Sequence, residues 1–219
     1  MIDHILLLVA DLLDYQTRFE EVTQVAPTYG GVHPSARASN ALVDMGNGTY
    51  LEIIGPALDG TEGPLTETLK QLDEPRLSWF AIRSEDLEQD IVRLEAAGFT
   101  HSGINEIEFE SELRNKISYS GVVAVNHEWG DQMPFFINWG DTPHPTTTSA
   151  GGLEMTSFTV FHPDAQALTK VYNELNVGVA VEEAAVPGFR LTFSSPGGDV
   201  VYESNTPKPI FSVNVEAQP

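Results

Sequence analysis

The chain has 219 residues, enough for one large domain or two small ones, and 41% of them are hydrophobic. The 32 acidic residues outnumber the 11 basic ones, for a formal net charge of −21; such a surface repels phosphate backbones and anionic lipid and argues against nucleic-acid and membrane partners. No cysteine is present, which excludes disulfides, thiolate metal sites and a cysteine nucleophile.

The acidic residues are scattered. They read either as a solubility device or as an attraction for cationic ligands. No apolar run approaches the roughly 18 residues of a membrane helix. The opening run from Ile2 to Val9 has no basic flank and is followed at once by Asp11 and Asp14, so it predicts a buried strand, not a secretion signal. A cytoplasmic protein is the expectation.

Three segments share one layout: an apolar strand, an acidic helix start, an amphipathic helix, then short strands. The first spans residues 1–56. After the strand at 2–9, Asp11 predicts an N-cap, and Leu12, Tyr15, Phe19 and Val22 fall on one helical face. Strands follow at 40–44 and 49–54 around the hairpin turn Gly46-Asn47-Gly48. The second spans residues 76–140. It opens at 77–82, Asp86 and Gln89 have capping-box spacing, and Gly98 predicts the helix end. Strands are predicted at 106–109, 122–126 and 134–139, with Glu106, Glu108, Glu110 and Glu112 pointing outward and Ile107 and Phe109 inward. The third spans residues 152–206, with strands at 156–161, 190–193 and 200–203 and a helix starting at Pro163-Asp164. The linkers at 57–75 and 141–151, rich in Pro and Gly or in Pro, Thr and Ser, predict connections with little structure of their own. The fold class is therefore α+β, built from three βαβββ modules.

Some motifs add to this layout: Ile2-Asp3-His4-Ile5, Gly30-Gly31-Val32-His33-Pro34, Asn40-Ala41-Leu42, Gly48-Thr49-Tyr50-Leu51-Glu52, Pro134-Phe135-Phe136-Ile137-Asn138-Trp139 and His144-Pro145. In their order and spacing the chain resembles the glyoxalase-like domain family of the vicinal-oxygen-chelate (glyoxalase/bleomycin resistance/dioxygenase) superfamily. It departs from the family pattern at Arg37-Ala38-Ser39, where Gly-Thr-x precedes the Asn, and at Asn138, where an acid usually stands.

The resemblance implies that two modules pair into a cupped mixed sheet, with the opening and closing strand of each sending one side chain inward. Four such positions hold a divalent metal in the superfamily; Zn, Ni, Mn, Fe and Mg suit oxygen and imidazole ligands. His4 and Glu52 occupy the first module's positions. Taken alone, His4 between Ile2 and Leu6 reads equally as a core histidine. The other half of the site is Trp79 and Asn138 if module two pairs with module one. If module three does, it is Ser157 and Glu203, giving His4, Glu52 and Glu203 as ligands and Glu203 as a proton carrier.

His33 on its glycine-rich loop suits proton transfer or is a surface histidine. Asn40 suits a substrate carbonyl, and Arg37 or Arg114 a substrate carboxylate. Trp79, Phe80, Phe136 and Trp139 would line the cup. The leading expectation is a metal-dependent lyase, isomerase or dioxygenase acting on a small molecule. The alternatives are a metal-free protein that sequesters a hydrophobic or cationic compound, and a scaffold that has lost its chemistry. An unpaired third module would expose a sheet edge, which predicts a homodimer.

Overall fold

The computed structural model describes residues 1–111 and 115–211. The first unit runs β1 (Ile2–Leu8), α1 (Leu12–Thr23), β2 (Thr28–His33), β3 (Ala38–Asp44) and β4 (Tyr50–Pro56). A linker carrying α2 (Thr66–Lys70) leads to β5 (Arg76–Arg83), α3 (Leu87–Ala96), β6 (Thr100–His101), β7 (Asn105–Ser111), β8 (Asn115–Val125) and β9 (Phe135–Asn138). The third unit is β10 (Glu154–His162), α4 (Ala165–Glu174), β11 (Ala180–Glu183), β12 (Gly188–Ser195) and β13 (Gly198–Asn205).

Local chemistry accounts for these boundaries. Asp11, Asp86 and Asp164 each accept a hydrogen bond from the backbone N–H three residues on, at 3.0, 3.1 and 3.0 Å, which satisfies a free donor of the first turn. The β3–β4 hairpin holds Gly46, Asn47 and Gly48 at φ of 74°, 51° and 75°, which side chains other than Asn and Gly rarely adopt. The glutamates of β7 are exposed, while Ile107 and Phe109 face inward, as period-2 alternation predicts.

Pairing decides which units form the cup. β1 is parallel to β4 and antiparallel to β5; β5 is parallel to β9. The first two units thus repeat one arrangement, opening strand beside closing strand, and join along β1–β5 into a nine-stranded mixed sheet ordered β2-β3-β4-β1-β5-β9-β8-β6, with β7 also on β8. The third unit keeps the βαβββ element order but not this pairing. Its opening strand β10 lies between β11 and β12, and its closing strand β13 is at the edge of a separate four-stranded sheet.

The small sheet covers the back of the large one. Phe80 on β5 meets Phe158 and Phe189 at 5.2 and 6.2 Å between ring centroids, and Phe19 on α1 meets Phe193 at 6.3 Å. Ile5, Leu7, Leu51, Ile53, Phe80 and Phe136 belong to this main core. The linker at 57–75 is more ordered than its composition predicts. It contains α2, and Leu69 is fully buried with Leu6, Leu8 and Ile54. A five-residue helix is too short to leave a readable period.

Candidate active site in the cup

The opposite face of the large sheet encloses a cavity of about 370 Å³. From β1 and β4 come His4, Leu6, Tyr50, Glu52 and Ile54; from β5 and β9 come Trp79, Phe135 and Ile137; from β7 and β8 come Ile107, Phe109, Ile117 and Tyr119. The wall is mostly hydrocarbon and aromatic, with a few convergent polar groups, the usual chemistry of a small-molecule site.

Those polar groups form two connected sets. In the first, Asn40 Nδ2 donates to Glu52 Oε1 at 2.7 Å, and His4 Nε2 lies 3.6 Å from Glu52 Oε2. The imidazole of His4 stacks on Tyr50 at 4.7 Å and meets the edge of Phe135 at 5.4 Å. Its Nδ1 is 2.8 Å from Oδ1 of Asp3, which is fully buried.

Asp3 also accepts from Arg83 Nε at 2.9 Å and Trp139 Nε1 at 3.2 Å, with His144 Nε2 at 3.0 Å. Burial alone would raise its pKa. Hydrogen bonds from His144 and His4, the charge of His4 and the bond from Arg83 outweigh that and hold the carboxyl well below the usual carboxylate range. An ionised Asp3 accepts a hydrogen bond from the Nδ1–H of His4, which fixes the ring and leaves Nε2 facing Glu52.

In the second set, His33 at the end of β2 reaches across to β8. Its Nε2 is 2.7 Å from the Tyr119 hydroxyl, and its Nδ1 accepts from Ser35 Oγ at 3.1 Å and the Ala36 N–H at 3.3 Å. With Nδ1 accepting, the Nε2 proton is donated to Tyr119, whose own O–H is left for the cavity. Burial lowers the His33 pKa, with the charge of Glu52 opposing, so the ring is neutral near pH 7. Burial and the same charge push Tyr119 above the usual tyrosine range.

His4, Glu52, Asn40, His33 and Trp79 thus come together at the cavity, and the expected placement of five other residues is corrected. Glu203 lies on the outer strand β13 and bonds Arg190 Nε at 2.8 Å, because the third unit pairs with neither partner of the cup. Asn138 accepts from the Gly140 N–H at 2.8 Å and does not line the cavity. Phe136 and Phe80 point into the back core: on β9 the run Phe135-Phe136-Ile137 is apolar on both faces, so its parity is one residue off, and on β5 Phe80 follows Trp79 and so faces the other way. Arg37 is exposed on the β2–β3 turn at φ 47°. Arg114 lies outside the described residues.

Asp3, Tyr119, Tyr50, Phe135 and His144 belong to the site and were not singled out as site residues. Asp3 and His144 stood within the motifs that carry the family resemblance. Tyr119 had no signal, since β8 begins well before the apolar run at 122–126.

The donor set does not fit the resident metal that the resemblance implies. His4 Nε2 and Glu52 face the cavity, but the corresponding positions of the second unit are Trp79, Phe135 and Ile137, which offer no oxygen or imidazole ligand. Among the described residues no three His, Cys, Asp or Glu side chains gather as a ligand group.

The family model of the glyoxalase-like domain matches residues 2–176. The chain belongs to the glyoxalase-like domain family. A search of the curated proteins by sequence found no match. Among solved structures, a hypothetical protein from Staphylococcus aureus superposes with a TM-score of 0.62 at 17% identity, covering 93% of this chain and 85% of that one. A mutant of 4-hydroxymandelate synthase from Streptomyces coelicolor superposes at 0.53 and 11% identity, over 93% of this chain and 62% of that one. Methylmalonyl-CoA epimerase from Mycobacterium tuberculosis reaches 0.44 at 16% identity, over 64% and 87%. At these identities the likeness to the first two bears on the fold alone. The glyoxalase-like family match runs through both units of the cup and ends just beyond α4. No helix among the described residues is long and apolar enough to cross a membrane.

Proposed function

We propose that the protein is a small-molecule enzyme of the isomerase or lyase type, in which Glu52 moves a proton on a largely apolar carbonyl compound held in the cup. One observation carries this reading: Glu52 presents its carboxylate to an apolar cavity, oriented by Asn40 on one oxygen and approached by His4 on the other. A base held in place and sheltered from bulk water is what proton abstraction beside a carbonyl requires. The C–H bond of the substrate breaks and an O–H bond forms on Glu52. The electron pair moves onto the carbonyl oxygen, where the Tyr119 hydroxyl, itself held by His33, donates a hydrogen bond. Return of the proton to a different position or face gives the isomer. His4, backed by ionised Asp3, lies beside the ionised Glu52 before the proton is taken. This scheme routes no step through a metal.

A second reading has independent support in the aromatic wall of Trp79, Phe135, Tyr50 and Tyr119: metal-free sequestration of a hydrophobic or cationic compound, with Glu52 as its counter-charge. One experiment separates the two. A panel of small ketones and aldehydes is screened for binding by thermal shift, and the hits are incubated with the protein in D2O while NMR follows exchange of the proton beside the carbonyl. The enzyme reading expects catalysed exchange that Glu52→Gln lowers by about 10²- to 10⁴-fold with binding retained. Hits that bind but exchange no faster than in buffer leave the sequestration reading standing.

The cup is completed by two units of one chain, so neither reading needs a second copy. The homodimer expectation would then concern the edge strands alone, and sedimentation at micromolar concentration tests it.

A further inference from the structure

Beyond β13 the chain turns back across the second unit and ends its described course at the cavity. The segment 206–211 is fastened at several points. The Thr206 N–H donates to Pro187 O at 2.6 Å, and its hydroxyl accepts from Gln132 Nε2, also at 2.6 Å. Arg76 Nη2 donates to Lys208 O at 2.7 Å. Pro209 lies over Gly130, where an added Cβ would meet its ring at 3.2 Å. The last fastening is the strongest. The carboxylate of Asp131, only 1% exposed, accepts from the backbone N–H groups of Ile210 and Phe211 at 2.8–3.0 Å and from Ser78 Oγ at 2.8 Å.

Burying a carboxylate is costly unless charge-assisted hydrogen bonds offset it, and here two of the donors come from the segment itself. What this staple delivers is Phe211. Its ring stacks on Trp79 at 5.2 Å and 18°, and it joins Leu65 and Leu6 in the cavity wall. Ile210 and Phe211 pack with α2 against the small cluster of Leu6, Leu8 and Ile54. On β1 the order is His4, Leu6, Leu8, so this plug stands beyond the polar groups, at the end of the cup that a ligand's apolar tail would reach.

We propose that the segment 206–211, stapled by Asp131, is the end wall of the ligand site, and that Phe211 sets the length of the apolar group it admits. This rests on the cup being the ligand site, as proposed above. The probes are straight-chain 2-alkanones of increasing length, whose affinities are read by competition with Nile red.

In the wild-type protein each added methylene tightens binding by about fourfold until the wall is reached, after which the series flattens or falls. Phe211→Ala should move that break to longer ketones while leaving the short members within about twofold. Asp131→Asn, if it folds, should do the same. An unmoved break in Phe211→Ala with binding intact overturns the proposal. If no ketone binds either protein, the functional reading of the cup falls, and the wall is judged separately by acrylamide quenching of Trp79, taken as the difference from Trp79→Phe. Quenching that rises in Phe211→Ala supports the wall; unchanged quenching overturns it.

Discussion

At the residue scale, Asp3 bears more of the site than its neighbour His4 suggests. Its carboxylate is fully buried and meets partners from β1, β5, the end of β9 and the following linker. Asp3→Asn leaves Arg83 facing a neutral group in a half-buried place and should cost roughly 3 kcal/mol in denaturant unfolding, the scale for breaking a buried pair. The pH dependence follows from the lowered pKa. The folded protein binds this proton less readily than the unfolded chain, so the stabilisation is complete above about pH 4 and drains away as the pH falls toward the depressed folded value. Melting temperatures between pH 7 and pH 2 should fall more steeply for the wild type than for Asp3→Asn; parallel curves would contradict this. His33 is displaced in the same sense by burial. Its imidazole resonances should titrate below about 6.5, and it withdraws stability as the pH falls through that region because the unfolded chain takes the proton first.

At the scale of elements, the close approach of the third unit to α1 is a sharp test of the architecture. Gly197, in the β12–β13 turn, donates its N–H to Thr23 O at 3.0 Å, and a Cβ there would stand 1.9 Å from Val22 O. That contact is backbone, so it cannot swing aside. Gly197→Ala should lower stability by roughly 1–3 kcal/mol, as overpacking does. Gly178→Ala, with no atom within 4 Å of its Cβ, should stay within about 0.5 kcal/mol by thermal or urea unfolding. Equal effects would place the small sheet elsewhere. What the sequence made legible divides along the same line. Asp11, Asp86 and Asp164 announced three helix starts because capping is decided within four residues. The Gly46-Asn47-Gly48 turn was legible for a similar reason. The partner of β1 was not, because a strand's neighbour is a long-range choice that no local pattern records. For the same reason Glu203 was expected at the cup and lies on an outer edge. The faces of β9 were hidden differently: Phe135, Phe136 and Ile137 are apolar whichever way they point, and only a strand with one wet face shows its register.

At the scale of the whole molecule, the dominant quantity is the formal net charge of −21. Most of the few cations are already paired: Arg18 with Asp14, Lys70 with Glu62, Arg93 with Asp90, Lys116 with Glu108, Lys170 with Glu174 and Arg190 with Glu203. Asp90 is buried, but the other pairs are exposed and contribute about 0–1 kcal/mol each. Added salt weakens them, but it also screens repulsion among the many acids that have no cation to meet, over a Debye length that shrinks from about 10 Å at 0.1 M to about 3 Å at 1 M. Attractions are few and short-range, whereas repulsions are many and spread over the surface, so screening should favour the compact state. The melting temperature should therefore rise between low salt and 1 M NaCl. Potassium chloride should act like sodium chloride, since the argument turns on ionic strength and not on a particular cation. A melting temperature that falls with salt would mean that the surface pairs outweigh the repulsion. A rise with one cation alone would point instead to a specific ion site among the acids. The same field bears on the cup, because Glu52 sits in a molecule whose potential draws cations and repels anions. Short ketones carrying a carboxylate should therefore bind more weakly than their neutral counterparts, and the gap should narrow as salt is raised.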